Sequence, residues 1–381
     1  LTTMADKYFL VPGGARSSFI GARIGPTKQY EITGWLPTSD FGAVGNVWRA
    51  LEHQADGKKF PVVVKTPKQP PTRSQVWNKE LRGSEFAHDL PPHANLMTVM
   101  DVGEEPCPIE GRVGGSGQVV SYLVLEQCNE YDLFAFCETG AFPADLARHY
   151  FRQLLGALAF LHEHAGAHRD LKPDNIMLSQ TLELKLGDFG FARNVQQGGA
   201  LTQVGVGTPV YNPPEMGTGA VNAAAQDMWM AGVCLFIFLT GNFPFGGAEL
   251  RESDRKRVFD RLDAPGEANP THRGYWEGGS VGSFRPMMLR KKFLSEPAVD
   301  LLNRLWDRDP LRRLSAKQAL EHPWLVKNDD GSPAIPFDMT AAVMEALRGG
   351  AAPQRGQGLL GELCARKRDL FGILQRDNSH R

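Results

Sequence analysis

The sequence predicts an α+β protein built in two parts, a smaller strand-rich part followed by a larger helical one. Three observations carry this. Between Tyr30 and Glu126, short β-branched or apolar runs (62–64, 96–102 and 119–125) are separated by Gly, Pro and Asp. One stretch in that region, from about Ser74 to Asp89, is helical, opened by Thr72 or Ser74 and closed by Pro91-Pro92. Beyond Glu126 the periodicity changes, and Leu146, Tyr150, Phe151, Leu154, Leu158 and Leu161 recur at helical spacing.

Taken in order, residues 1–29 hold Gly13, Gly14, Gly21, Gly25 and Pro26 with little periodicity and read as an irregular N-terminal extension. The segment 103–117 carries five glycines and two prolines and reads as an enlarged loop between two strands. Helices are expected over 144–164, 226–240 and 298–306. Residues 247–292 are charged and glycine-containing and read as a surface excursion with one short helix. From Val326 onward, Gly and Pro clusters separate two weak helical patterns, so 326–381 reads as a tail. At roughly 150 residues per domain, the length allows two or three units, or one two-lobed unit with extensions.

Composition narrows the function classes. The 381 residues carry 42 Lys+Arg against 43 Asp+Glu, a formal net charge of −1. That balance gives no reason to expect nucleic acid or an anionic membrane as the main partner. Five scattered cysteines form no C-x-x-C pair, so neither a disulfide framework nor a zinc ribbon is expected, and a reducing cytoplasmic or nuclear setting is. The longest apolar run, 228–239, falls short of the ~20 residues of a membrane span and reads as a core helix. The opening residues lack the pattern of a secretory signal.

The chemistry concentrates in His168-Arg169-Asp170-Leu171-Lys172-Pro173-Asp174-Asn175, followed thirteen residues beyond Asn175 by Asp188-Phe189-Gly190. These residue types suit metal-assisted transfer of an anionic group. Asp170 can accept a proton, Lys172 can neutralise developing phosphate charge, and Asn175 and Asp188 are oxygen donors of the kind Mg²⁺ prefers.

With these motifs the sequence resembles the eukaryotic protein kinase family, from about Tyr30 to Leu325. Val62-Val63-Val64-Lys65 is similar to the strand that presents the phosphate-pairing lysine. The resemblance implies that Asp170 is the catalytic Asp, Asn175 the second metal ligand and Asp188 the first. Pro213-Pro214-Glu215 stands where the family has Ala-Pro-Glu, and Arg313 where an Arg pairs with that Glu. Asp227 matches the buried Asp bracing the catalytic loop, and His322-Pro323-Trp324 the closing motif of many Ser/Thr members. The implied fold has a small antiparallel-sheet lobe with one helix (30–126) and a larger, mostly helical lobe (127–325). The implied cofactors are ATP and Mg²⁺, and the implied partner is a protein substrate presenting Ser or Thr.

The phosphate-covering loop fits one register, ending at Val47, with Gly42 and Gly45 as its second and third glycines and Asp40 at the first. An acidic residue there opposes an anionic ligand and is the one feature favouring a nucleotide-binding scaffold without catalysis. Lys65 needs a carboxylate partner, and the 74–89 helix offers Glu80 and Glu85. Trp77 and Leu81 flank Glu80 as the family pattern requires, which favours Glu80. By the same resemblance Leu125 controls access behind the nucleotide, Glu126 and Cys128 form the adenine-binding hinge, Asp132 meets the ribose, and Val63 and Met177 contact the nucleotide. Lys172-Pro173 and Gly207-Thr208-Pro209 match the Ser/Thr branch. Thr202 and Thr208 are the regulatory candidates in the activation segment, Thr202 as a phosphorylated residue pairing with Arg169. In the tail, Leu359, Leu363, Leu370 and Leu374 share a face beside Arg366-Lys367-Arg368. That pattern reads as a helix packed on the larger lobe, or as an autoinhibitory segment or calmodulin-like partner's target, loosely similar to calcium/calmodulin-dependent kinases.

Overall fold

The computed structural model describes residues 20–36, 45–67, 75–106, 119–128, 133, 142–195, 200–201, 206–217, 221–241, 243–245, 294–327 and 334. The first lobe is a six-stranded antiparallel sheet in which β1 (Arg23–Ile24), β2 (Tyr30–Trp35), β3 (Gly45–His53) and β4 (Lys59–Pro67) follow in chain order. The helix α1 (Gln75–His88) comes next, and then β5 (Val99–Pro106) and β6 (Val119–Glu126), with β6 inserted between β4 and β5. One face of the sheet closes a small core of Ile24, Tyr30, Ile32, Trp48, Ala50, Val62, Val64, Tyr122 and Val124.

Two boundaries differ from the sequence reading. The sheet starts inside the expected 1–29 extension, because the turn at 25–28, closed by Lys28 N–H to Gly25 O at 2.9 Å, folds Arg23 and Ile24 back onto Glu31 and Tyr30. Gly25 takes φ +98° there, a conformation that glycine adopts without steric cost. The loop expected from Gly103 starts later, since β5 runs on through Gly103, Glu104, Glu105 and Pro106 opposite residues 119–122. Ladder pairing with β6 overrides the local breaker signal of Gly103, and Pro106 sits at the strand's end on the sheet edge.

The second lobe is built on α2 (Ala144–Glu163) and α3 (Ala223–Thr240). Between them come short paired strands, β7 (Gly166–Ala167), β8 (Ile176–Leu178), β9 (Leu184–Leu186), β10 (Arg193–Asn194), β11 (Ala200–Leu201) and β12 (Val221–Asn222). After α3 follow α4 (Glu296–Leu305), α5 (Ala316–Leu320) and α6 (Pro323–Val326). Asn222 caps α3 by accepting from Ala225 N–H at 3.0 Å, and Gly241 ends it at φ +70°. By length and composition α3 is apolar enough to cross a membrane, but 94% of it is buried inside the lobe. It is the core helix that the 228–239 run predicts, and Trp229, Phe236 and Phe238 pack from it into the shared core.

The excursion at 247–292 and the basic segment 359–374 lie outside the described residues.

Candidate active site

The site begins with the alternation of β4. Val62 and Val64 enter the small core, so Val63 and Lys65 stand on the opposite face. The register sets Val47 opposite Lys65, Gly45 opposite Pro67 and Leu125 opposite Val63. Directly opposed residues share a face, so Gly45, Val47, Val63, Lys65 and Leu125 line one surface.

The helix α1 packs across that surface. Trp77, fully buried, donates its indole N–H to Ser121 Oγ at 2.7 Å and anchors the helix to β6. One turn on, Glu80 Oε1 accepts from Lys65 Nζ at 2.9 Å, with Glu80 buried and Glu85 exposed. Of the two sequence candidates, Glu80 is the one that meets Lys65.

Burial weighs against both charges of this pair. For Lys65 it is outweighed by the carboxylates of Glu80 and Asp188, which hold the ammonium above its ordinary pKa. Glu80 is pushed up to about 7, first by burial and then by the charge of Asp188, with Lys65 opposing. Asp188 moves the other way. Its surface is open to solvent, and although the protein packed around it would raise it, Lys65 and then His168 keep its carboxyl below the usual range. Two carboxyls facing one ammonium are thus driven apart, and Asp188 is the one held as an anion.

The 168–175 segment hangs from α3. Asp227, fully buried, accepts the backbone N–H of His168 at 2.9 Å and of Arg169 at 2.7 Å, and bonds His162 Nε2 at 3.0 Å. These bonds hold Arg169 in the left-handed region at φ 69°, a conformation that costs energy without such support. The chain then delivers Asp170 into a polar network. Asp170 Oδ1 accepts from Thr208 N–H at 2.6 Å and from the Thr208 hydroxyl at 2.8 Å. Lys172 Nζ donates to the same hydroxyl at 2.9 Å and lies 3.5 Å from Asp170 Oδ2. Asn175 Nδ2 donates to the Asp170 carbonyl at 2.7 Å, which leaves the amide oxygen of Asn175 as its acceptor end. Thr208, a regulatory candidate from the sequence, therefore lies between Asp170 and Lys172.

The β8–β9 hairpin brings the metal-ligand candidates to one end. Asn175 immediately precedes β8 and Asp188 follows β9 by one residue, with Ile176 paired to Leu186. Gly187 N–H donates to the Asn175 carbonyl at 2.9 Å, and His168 Nε2 meets the Gly187 carbonyl at 2.9 Å. Asp188 itself adopts φ 58° and accepts from Gly190 N–H at 3.4 Å. Met177, opposite Lys185, is half-buried between the buried Ile176 and Leu178.

At the hinge, Glu126 Oε1 accepts from Thr98 N–H at 2.6 Å and from Lys185 Nζ at 2.9 Å, tying the last small-lobe strand to β9. Cys128 is buried, and burial, with Glu126 adding, pushes its thiol up to about 12, so it stays protonated and unreactive at neutral pH. Asp40, Gly42, Asp132 and Thr202 lie outside the described residues.

Glu215 and Arg313 meet in a forked pair at 2.8 and 3.3 Å, and Arg313 also donates to the carbonyls of Ala225 and Asp307 at 2.7 and 2.9 Å. Its guanidinium lies 5.1 Å from the ring centroid of Trp229. Arg313→Met removes the forked partner of Glu215 and the donor to the carbonyls of Ala225 and Asp307, the first of them buried. A loss of about 3–5 kcal/mol is expected, read as a lower urea midpoint with an unchanged slope.

Sequence reasoning did not single out Gln226, whose amide nitrogen reaches the carbonyls of Arg169 and Val206 and the Asn212 side chain at 3.3–3.4 Å. It also missed the Glu126–Lys185 bridge. A polar residue beside Asp227 in a largely apolar core helix was the available signal for Gln226.

The protein kinase domain family matches residues 41–325, about three quarters of the chain. The chain belongs to the protein kinase family. Among the relatives it resembles are proteins named as Ser/Thr kinases. It is 32% identical to the Serine/threonine-protein kinase chk1 of Schizosaccharomyces pombe, over 72% of this chain and 50% of that protein. It is 35% identical to Serine/threonine-protein kinase ULK3 of Mus musculus, over 60% of this chain and 44% of that one. It is 31% identical to CBL-interacting protein kinase 5 of Oryza sativa subsp. japonica, over 54% of this chain and 40% of that one. The chain spans about half the length, or less, of these curated relatives.

Proposed function

We propose that this chain transfers the γ-phosphoryl group of ATP to Ser or Thr hydroxyls of protein substrates, with Mg²⁺ as the divalent ion. One observation carries the reading: the Lys65–Glu80 ion pair is closed while Asp170, Lys172, Thr208 and Asn175 share one hydrogen-bonded network. An assembled ion pair and a poised catalytic loop are both required for phosphoryl transfer on this fold.

The donor set fits a metal–nucleotide complex. Among the described residues no group of three or more His, Cys, Asp or Glu forms a closed metal cage. Mg²⁺ with phosphates needs only one or two protein oxygens, and the anionic Asp188 with the Asn175 amide oxygen supplies them. When bound, the ion neutralises charge on the phosphate oxygens. Lys65, fixed by Glu80, orients the α- and β-phosphates. Asp170 receives the proton of the attacking hydroxyl, and Lys172 faces the charge that develops on the transferring group. Val47, Val63, Leu125 and Met177 supply apolar contacts to the nucleotide, and the backbone at Glu126 and Cys128 supplies the hinge. The proposal extends to phosphorylation of Thr202 as the activating event. Arg169, buried with an Nε that has no partner among the described residues, supports an anionic partner in that region.

Lys65→Met tests the nucleotide side. The ion pair is lost and the buried Glu80 is left facing Asp188 alone. Expected are loss of transfer by at least about 10²-fold and weaker ATP binding by calorimetry. Parental rates in the variant would overturn the role given to Lys65.

A further inference from the structure

We infer that Gly83 is a positioning residue: it lets α1 touch the backbone of the Asp188-Phe189-Gly190 segment, and that contact sets where Glu80 meets Lys65. The inference rests on the phosphotransferase reading above.

Glycine in a helix interior is disfavoured relative to alanine, because it gives up more chain freedom and packs nothing. Gly83 nevertheless sits in the interior of α1, three residues after Glu80 and on the same face. What it faces explains its presence. A Cβ at position 83 would fall 1.7 Å from the Phe189 carbonyl oxygen and 2.7 Å from the Phe189 carbonyl carbon. Both are backbone atoms, so no side-chain rotation relieves the overlap. On the other side of the same contact, a Cβ on Gly190 would fall 2.7 Å from Glu80 Oε2. Two facing glycines thus allow helix and segment to approach without side chains between them.

This contact ties three functional groups together. Phe189 is buried in the main core, which fixes the segment. Trp77 fixes the start of the helix through Ser121. Gly83 then sets the distance of the next helical turn, and with it the 2.9 Å Lys65–Glu80 bond. A methyl at position 83 must open the gap by more than about 1 Å to reach van der Waals contact. A displacement of that size in a catalytic constellation costs up to about 10²-fold in rate.

The experiment compares the parent, Gly83→Ala, Glu80→Gln and the double variant in steady-state phosphoryl transfer, with Gly156→Ala as the helix-interior control. Gly156 lies in α2 with nothing within 4 Å of an added Cβ, so its substitution should leave the rate unchanged. Gly83→Ala is expected to lower kcat/KM for ATP about 10- to 100-fold. In the Glu80→Gln background it should cost no more than about threefold further, because the interaction it governs is already lost. Should Gly83→Ala fail to fold, Gly190→Ala, whose methyl presses on Glu80 Oε2, is read in the same cycle with the same non-additivity expected. A Gly83→Ala rate within twofold of the parent, or losses that multiply fully in the double variant, overturns the inference. An inactive parent would instead overturn the phosphotransferase reading, so the two failures are separable.

Discussion

Asp188→Ala is expected to lower kcat by at least about 10³-fold while the protein stays folded and melts at or above the parental temperature. The reasoning joins two features of the carboxylate. Asp188 is kept anionic by Lys65 and His168 and follows β9 at the end of the hairpin where Asn175 also stands. On the proposed reading, its loss removes the one anionic oxygen donor assigned to the metal–nucleotide complex. Yet its bond from Gly190 N–H is long, at 3.4 Å, and its charge and its hydrogen bond with Glu80 help to push Glu80 up to about 7. Removing it takes one of two carboxylates from Lys65 but lowers the Glu80 pKa toward the ordinary value, so Glu80 is left ionised to hold the ammonium at neutral pH. Function and stability should part company at this position. Calorimetric melting beside a single-turnover assay checks both halves. An Asp188→Ala protein that melts well below the parent would show that the carboxylate supports the fold instead.

Asp170→Asn is the second large effect. The amide retains an oxygen that can accept from Thr208, so the Gly207–Thr208 segment should stay in place. What it loses is the negative charge facing Lys172 at 3.5 Å and the capacity to take up a proton. A fall in kcat of about 10²- to 10⁴-fold is expected with the KM for ATP changed only a few-fold, because Asp170 serves the hydroxyl and not the nucleotide. A rise in KM for ATP with kcat preserved would assign Asp170 to ground-state nucleotide binding and remove it from the proton path.

Much of this arrangement was legible in the sequence, and the physical reasons are specific. The run Val62-Val63-Val64-Lys65 announces a strand, and strand alternation alone puts Lys65 and Val63 on one face. The short spacing from Asn175 to Asp188 is the length of one tight hairpin, which is why both donors arrive at the same end. Choosing Glu80 over Glu85 was within reach because Trp77 and Leu81 flank it as the family pattern requires. Other features were not legible. Gly83 reads in sequence as a mere weakness in a helix, since nothing local shows that a carbonyl lies across from it. Glu126 and Lys185 are far apart in the chain, and both are ordinary charged residues until the fold joins them. Gly103 and Pro106 were misread as loop because local propensity carries no information about the β6 ladder beside them.

The most direct measurement is transfer of label from γ-labelled ATP, with Mg²⁺, to a generic protein substrate by the purified chain, followed by identification of the labelled amino acid. Asp170→Asn is run alongside. The predicted result is phosphoserine or phosphothreonine formed by the parent and a loss of at least about 10²-fold in the variant. A parent that binds ATP but transfers no label, or a variant as active as the parent, would contradict catalysis at Asp170 in this site.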